Sequence, residues 1–94
     1  MSIRSETNPK DECAIDRADA QLQAQGFSSG CVVYRNRLDV LLARAAFLTG
    51  SFNDRVKAII EPTEGRYIVI RTRSYDDENA IRAKVSSLRM LALN

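Results

Sequence analysis

The chain has no histidine and no tryptophan among its 94 residues, and only two cysteines and two prolines. Each shortage removes a class of function. Without histidine there is no imidazole to serve as general base for a serine or cysteine nucleophile, and zinc patterns that combine Cys with His cannot be written. Cys13 and Cys31 lack the C-x-x-C spacing of a redox pair. Two free thiols in a reducing compartment are expected rather than a disulfide. The longest strongly apolar stretch, Val40 to Leu48, is interrupted by Arg44 and is far shorter than the roughly 20 residues that span a bilayer. No membrane span is expected. The opening MSIRSETNPKDE is polar and lacks the apolar stretch of a secretory signal, so a cytoplasmic site is expected.

What is present is close to globular averages: 45% apolar and 28% charged residues. A chain of this length forms one domain around one modest core. Residues 1–8 read as a flexible arm and residues 9–94 as a single α+β domain. The net charge of +2 hides an asymmetry. Residues 1–30 carry three basic and five acidic groups (−2), and residues 31–94 carry eleven and seven (+4). That excess permits nucleic-acid binding without demanding it.

Asn8 can cap a helix with Pro9 in its first position, Asp11 and Glu12 near its positive end and Gly26 as its stop. Ile15, Ala18 and Leu22 give it a thin apolar stripe, which predicts a peripheral helix. Cys31-Val32-Val33-Tyr34 fits a short strand or the front of the next helix, and the strand is expected. Asn36, with Asp39 three residues later, predicts a capped helix over 37–49 ended by Gly50. That helix is apolar on two sides: Leu38, Leu41, Leu42, Ala45 and Leu48 on one, Val40, Ala43 and Phe47 on another. Both sides need cover, from other helices or from a second copy of the protein. A last helix begins at Ser74 or Asp76 and carries Ile81, Val85, Leu88 and Ala92 at spacings of four, three and four. Its end, Met90 to Leu93, is apolar beyond one stripe.

Between these helices, Arg55 to Glu61 and Arg66 to Arg73 alternate like strands around Pro62-Thr63-Glu64-Gly65, which predicts a hairpin. A four-residue loop pairs Ile59 with Ile68 and Glu61 with Arg66. A three-residue loop sets Lys57 against Arg71 and Arg55 against Arg73. Like-charge pairs are unfavourable, so the four-residue register is expected. The predicted architecture is an N-terminal helix followed by a βαββα-like unit. Its small antiparallel sheet has helices packed on one face, as in ferredoxin-like folds, with the other face open.

Motifs for chemistry are weak. Gly26-Phe27-Ser28-Ser29-Gly30 matches the G-x-S-x-G nucleophile elbow, but a helix precedes it and no base exists, so a turn explains it. Asp76-Asp77-Glu78 reads as helix-dipole and cap chemistry rather than as a metal or acid/base cluster. Cys31 lies near Arg35 and Arg37, which would favour a thiolate, yet cysteine is more often a small buried hydrophobe. No cofactor, no metal and no enzymatic activity are expected.

Binding of another protein is the expected function, as an adaptor, regulator or stoichiometric inhibitor, with self-association into a homodimer. On the chosen register Ile59, Ile68 and Ile70 form an apolar centre rimmed by Arg55, Lys57, Glu61 and Arg66, the anatomy of an interface. The competing reading is that residues 9–25 cover those isoleucines within the monomer. Self-association is expected through Val40, Phe47 and Leu48. The alternative is single-stranded nucleic acid, held by Arg55, Lys57, Arg66, Arg71 and Arg73 with Tyr67 and Tyr75 for stacking. RYIVIRTRSYDDENAIRAKVSSLRM, residues 66–90, is similar to the strand, Ser-aromatic turn and Ala-containing helix that end SPOR peptidoglycan-binding domains. It covers about a quarter of the chain, and no functional residue is transferred from it.

Overall fold

The computed structural model describes residues 9–50, 52, 56–60 and 65–93. Its elements run α1 (Pro9–Ala24), β1 (Gly30–Tyr34), α2 (Arg37–Leu48), β2 (Val56–Ile60), β3 (Ile68–Thr72) and α3 (Tyr75–Leu93). Local chemistry accounts for the ends of the helices. The Asn36 side chain accepts hydrogen bonds from the Leu38 and Asp39 amides at 2.9 and 3.3 Å, so it is the expected cap of α2. Ser74 caps α3, its hydroxyl oxygen accepting from the Asp76 amide at 3.3 Å. At the end of α1 the Phe27 amide reaches back to the Leu22 carbonyl and the Gly26 amide to the Gln23 carbonyl. This is a Schellman closure around Gly26, which holds φ +97°. The predicted cap Asn8 and the arm before it lie outside the described residues.

The sheet order is β1-β3-β2, with both pairings antiparallel. β3 is therefore central, and β1 and β2 run parallel to each other on either side of it. This α+β architecture follows the expected order of elements. α2 and α3 cover one face, where Val32, Val40, Ala43, Val56, Ile68, Ile70, Ile81 and Val85 form the main core. α3 lies over β1 and β3, and α2 beside it over β3.

The opposite face is not open. α1 lies across β3 and β2 there, and Ile15, Ala18, Leu22, Phe27, Tyr67 and Val69 make a second core. The thin stripe of α1 suffices because it meets Phe27 and Tyr67, whose rings fill the space that its small residues leave. The helix is thus a structural layer and not a peripheral one.

The hairpin forms, but one residue away from the expected register. Ile60 faces Ile68, and Lys57 faces Arg71. The reason is which side chains share a face. This register sends Val56, Ala58 and Ile60 to α2 and α3 together with Ile68 and Ile70. The four-residue register would have turned Lys57 and Glu61 toward that core instead. A facing like-charge pair costs roughly 0.2–1 kcal/mol, whereas burying one Val or Ile contributes about 1.5–3 kcal/mol. Of the connecting turn only Gly65 is described; its φ of +63° is the left-handed geometry expected of glycine there. Gly30, in β1, answers a different need. A Cβ on it would lie 2.6 Å from Thr72 Oγ1 and 2.8 Å from Glu78 Cβ, so β1 approaches β3 and α3 closely only because that residue has no side chain.

Candidate interaction surfaces

The residues expected to form a binding face on the hairpin are distributed over two interiors. Ile68 and Ile70 are 0% exposed beneath α2 and α3. Neither is surface, so the expected apolar centre does not exist as an exposed patch. Ile59 points the other way and packs, half-buried, against the α1 core. Arg55 lies outside the described residues.

The cations of the hairpin meet the acids of α1. Asp11 takes a bidentate pair of hydrogen bonds from Arg66 at 2.9 and 3.0 Å, and Glu12 takes one from Arg35 at 2.8 and 3.1 Å. Arg71 donates to Asp19 Oδ1 at 2.6 Å and to the Phe27 carbonyl at 2.7 Å. Lys57 turns away from Arg71 to Gln25 Oε1 at 2.8 Å, and the Arg73 guanidinium lies 4.4 Å from the centre of the Phe27 ring. Among the described residues this is an intramolecular pairing of an acidic helix with basic side chains in and beside the strands. It also removes the like-charge penalty between Lys57 and Arg71, since each has its own partner. Of the residues expected to serve nucleic acid, Tyr67 is buried in the α1 core and Tyr75 is exposed.

Electrostatics along this seam hold the groups in their structural states. Burial would raise the Asp19 carboxyl, but hydrogen bonds from Arg71, Gln23 and Cys31 outweigh it and hold its pKa below the ordinary value. Burial pushes the Cys31 thiol up, and Asp19, 3.4 Å from Sγ, adds to the shift. That disfavours the thiolate a reactive cysteine needs. Ser28 and Ser29 sit on a helix-to-strand turn, the reverse of the elbow order, and the Ser29 hydroxyl donates to the Arg73 carbonyl at 3.2 Å. A recess of about 160 Å³ is lined by Tyr34, Asp39, Arg82, Val85, Ser86 and Arg89. Its cations are engaged: Arg89 donates to Asp39 at 2.5 Å, and Arg82 pairs with Glu78 at 3.3 Å. Among the described residues no group of Cys, Asp and Glu is placed to hold a metal ion, and no helix is long and apolar enough to cross a membrane.

The exposed apolar surface lies on the helices. Val40, expected at a self-association surface, is 0% exposed in the main core, and Phe47 packs edge-on to Phe52 at 4.7 Å. Leu48 is 79% exposed, and Leu41, about two turns before it on the same side of α2, is half exposed. On α3 the last turn runs past the body. Met90, Leu91 and Leu93 are 66–70% exposed, and Ala92, on the same side as the buried Ile81 and Val85, is exposed as well. The over-apolar ends of both helices were visible in the sequence. The role of α1 as counter-charge was not, because no periodicity reports which face of a sheet a helix will cover.

No family model matches the chain, and no curated protein or solved structure matches it. The similarity of residues 66–90 to the end of SPOR domains accordingly carries no assignment.

Proposed function

We propose that the protein works by contact with another protein, as an adaptor, regulator or stoichiometric inhibitor, and that it also associates with itself. The observation that carries this reading is the clustering of exposed aliphatic side chains: Leu41 and Leu48 on one flank of α2, and Met90, Leu91 and Leu93 at the end of α3. Single exposed leucines are ordinary. Three large ones within four residues on one helix end form a patch of the kind that marks an interaction site. Of the cations that would serve a nucleic acid, Lys57, Arg66, Arg71 and Arg73 are instead engaged by Gln25, Asp11, Asp19 and the Phe27 ring.

The test is affinity capture from cells that make the protein, with the wild-type chain beside Leu91→Asp/Leu93→Asp. Both positions are exposed, so the fold tolerates the change. One protein recovered stoichiometrically by the wild type and lost with the variant supports the reading. Recovery abolished by nuclease treatment refutes it in favour of nucleic acid.

A further inference from the structure

The two edges of the sheet are treated differently. In an antiparallel sheet the amide and carbonyl of each residue point to the same side, alternating along the strand. On β1 the outward residues are Cys31 and Val33, and Cys31 is occupied by α3: its amide donates to Glu78 Oε1 at 3.1 Å, and its carbonyl accepts from Arg82 at 3.4 Å. An i,i+4 ion pair thus caps that edge, a common protection against unwanted strand pairing. Because Cys31 points outward, Val32 and Ile70 bond each other, Val69 and Arg71 turn to β2, and their opposites Ile59 and Lys57 face β3; the outward residues of β2 are therefore Val56, Ala58 and Ile60. Among the described residues nothing bonds to the Ala58 or Ile60 backbone. The strand holds no proline and one charge, Lys57, which is directed to Gln25 on the α1 side.

We propose that β2 is the self-association edge: two copies pair antiparallel through β2, centred on Ala58, into a continuous six-stranded sheet with two-fold symmetry. This deepens the self-association part of the reading above and does not depend on the α3 patch. Charge and backbone chemistry select the register. Centred on Ala58, Val56 faces the partner's Ile60, Lys57 faces the partner's Ile59, and each outward residue exchanges two backbone bonds. A slide one step toward the N-terminus sets Lys57 against its own copy. A slide the other way pairs only residues 58–60 of the five-residue strand.

The helix layer adds to the same edge. Asp39 holds α2 to Arg89 of α3, and Leu48, nine residues on at about 100° each, stands on the opposite flank of α2. That flank is on the β2 side, because α3 covers β1 and β3. Leu48 and Leu41 therefore extend the pairing edge with apolar surface, and Arg44 between them reaches outward on its long stem. Strand pairing plus this flank is what a five-residue edge needs to approach the interface size of a stable dimer.

Light scattering of the purified full chain at tens of micromolar is expected to give twice the 10.5 kDa chain mass. Amide exchange followed by NMR is expected to slow at least tenfold with concentration at Ala58 and Ile60, while Lys57 and Ile59, bonded to β3, stay constant. Ala58→Pro, which removes an outward N–H and no bond within the sheet, is expected to give a monomer with unchanged helical content. Leu48→Lys is expected to weaken the dimer at least tenfold. A monomeric wild type, a dimer whose Ala58 and Ile60 amides ignore concentration, or a dimer indifferent to both substitutions overturns the inference. A monomer that still captures its partner through α3 overturns this inference and not the partner reading.

Discussion

Replacing Asp19 with alanine strands a guanidinium in the α1–sheet interior. The Arg71 side chain is 10% exposed and Asp19 27%, so the two ends of the pair differ in their access to water. Removing one partner of a fully buried pair costs about 3–5 kcal/mol, because the remaining charge is uncompensated. Arg71 keeps the Phe27 carbonyl at 2.7 Å, which lowers the expected cost of Asp19→Ala to about 2–3 kcal/mol. Arg71→Met leaves the other charge, which hydrates through its exposed side, and replaces the arginine stem with apolar volume. Its expected cost is about 1 kcal/mol. The asymmetry is therefore the sharper quantity: the loss should be larger when the acid is removed than when the base is. Urea unfolding of the two single variants and of Asp19→Ala/Arg71→Met, at equal protein concentration, measures it. The double variant is expected to be more stable than Asp19→Ala alone, since it no longer buries a lone charge. Equal losses from both single variants, or a double variant below Asp19→Ala, would refute the account of the seam as a buried counter-charge.

Two further outcomes are expected. Gly30→Ala places a methyl group 2.6 Å from Thr72 Oγ1; an overpacking loss of about 1–3 kcal/mol is expected, read as a lower urea midpoint with an unchanged slope. The folded-state pKa of Asp19 lies below its ordinary value, so the unfolded chain binds that proton more readily than the folded one. The stabilisation is complete above the ordinary aspartate range and is lost as pH falls through the folded-state value. Stability of the wild type should therefore decline below about pH 4, and Asp19→Asn should flatten that decline.

Much of this fold was legible in the sequence because it rests on interactions within one turn or one hairpin. Asn36, Ser74 and Gly26 stop and start helices through backbone groups two to five residues away, and the alternation of residues 56–60 and 68–72 makes strands wherever they are placed. The excess apolar surface of α2 and α3 was equally readable, since no face of those helices is polar enough to be simply solvated. The hairpin register was not. A local comparison of cross-strand pairs weighs Lys57 against Arg71 and rejects them, but the choice belongs to the main core, which requires Val56, Ala58 and Ile60 on the same side as Ile68 and Ile70. The repulsion between Lys57 and Arg71 is relieved because Asp19 neutralises Arg71 and Gln25 holds Lys57 aside, residues about 30 to 50 positions away. Sequence alone thus determined which segments become helix and strand. Only the tertiary structure decided where α1 lies, which cations it consumes and which sheet edge no described residue covers, because burial and counter-charge act between segments that are neighbours in space and not along the chain.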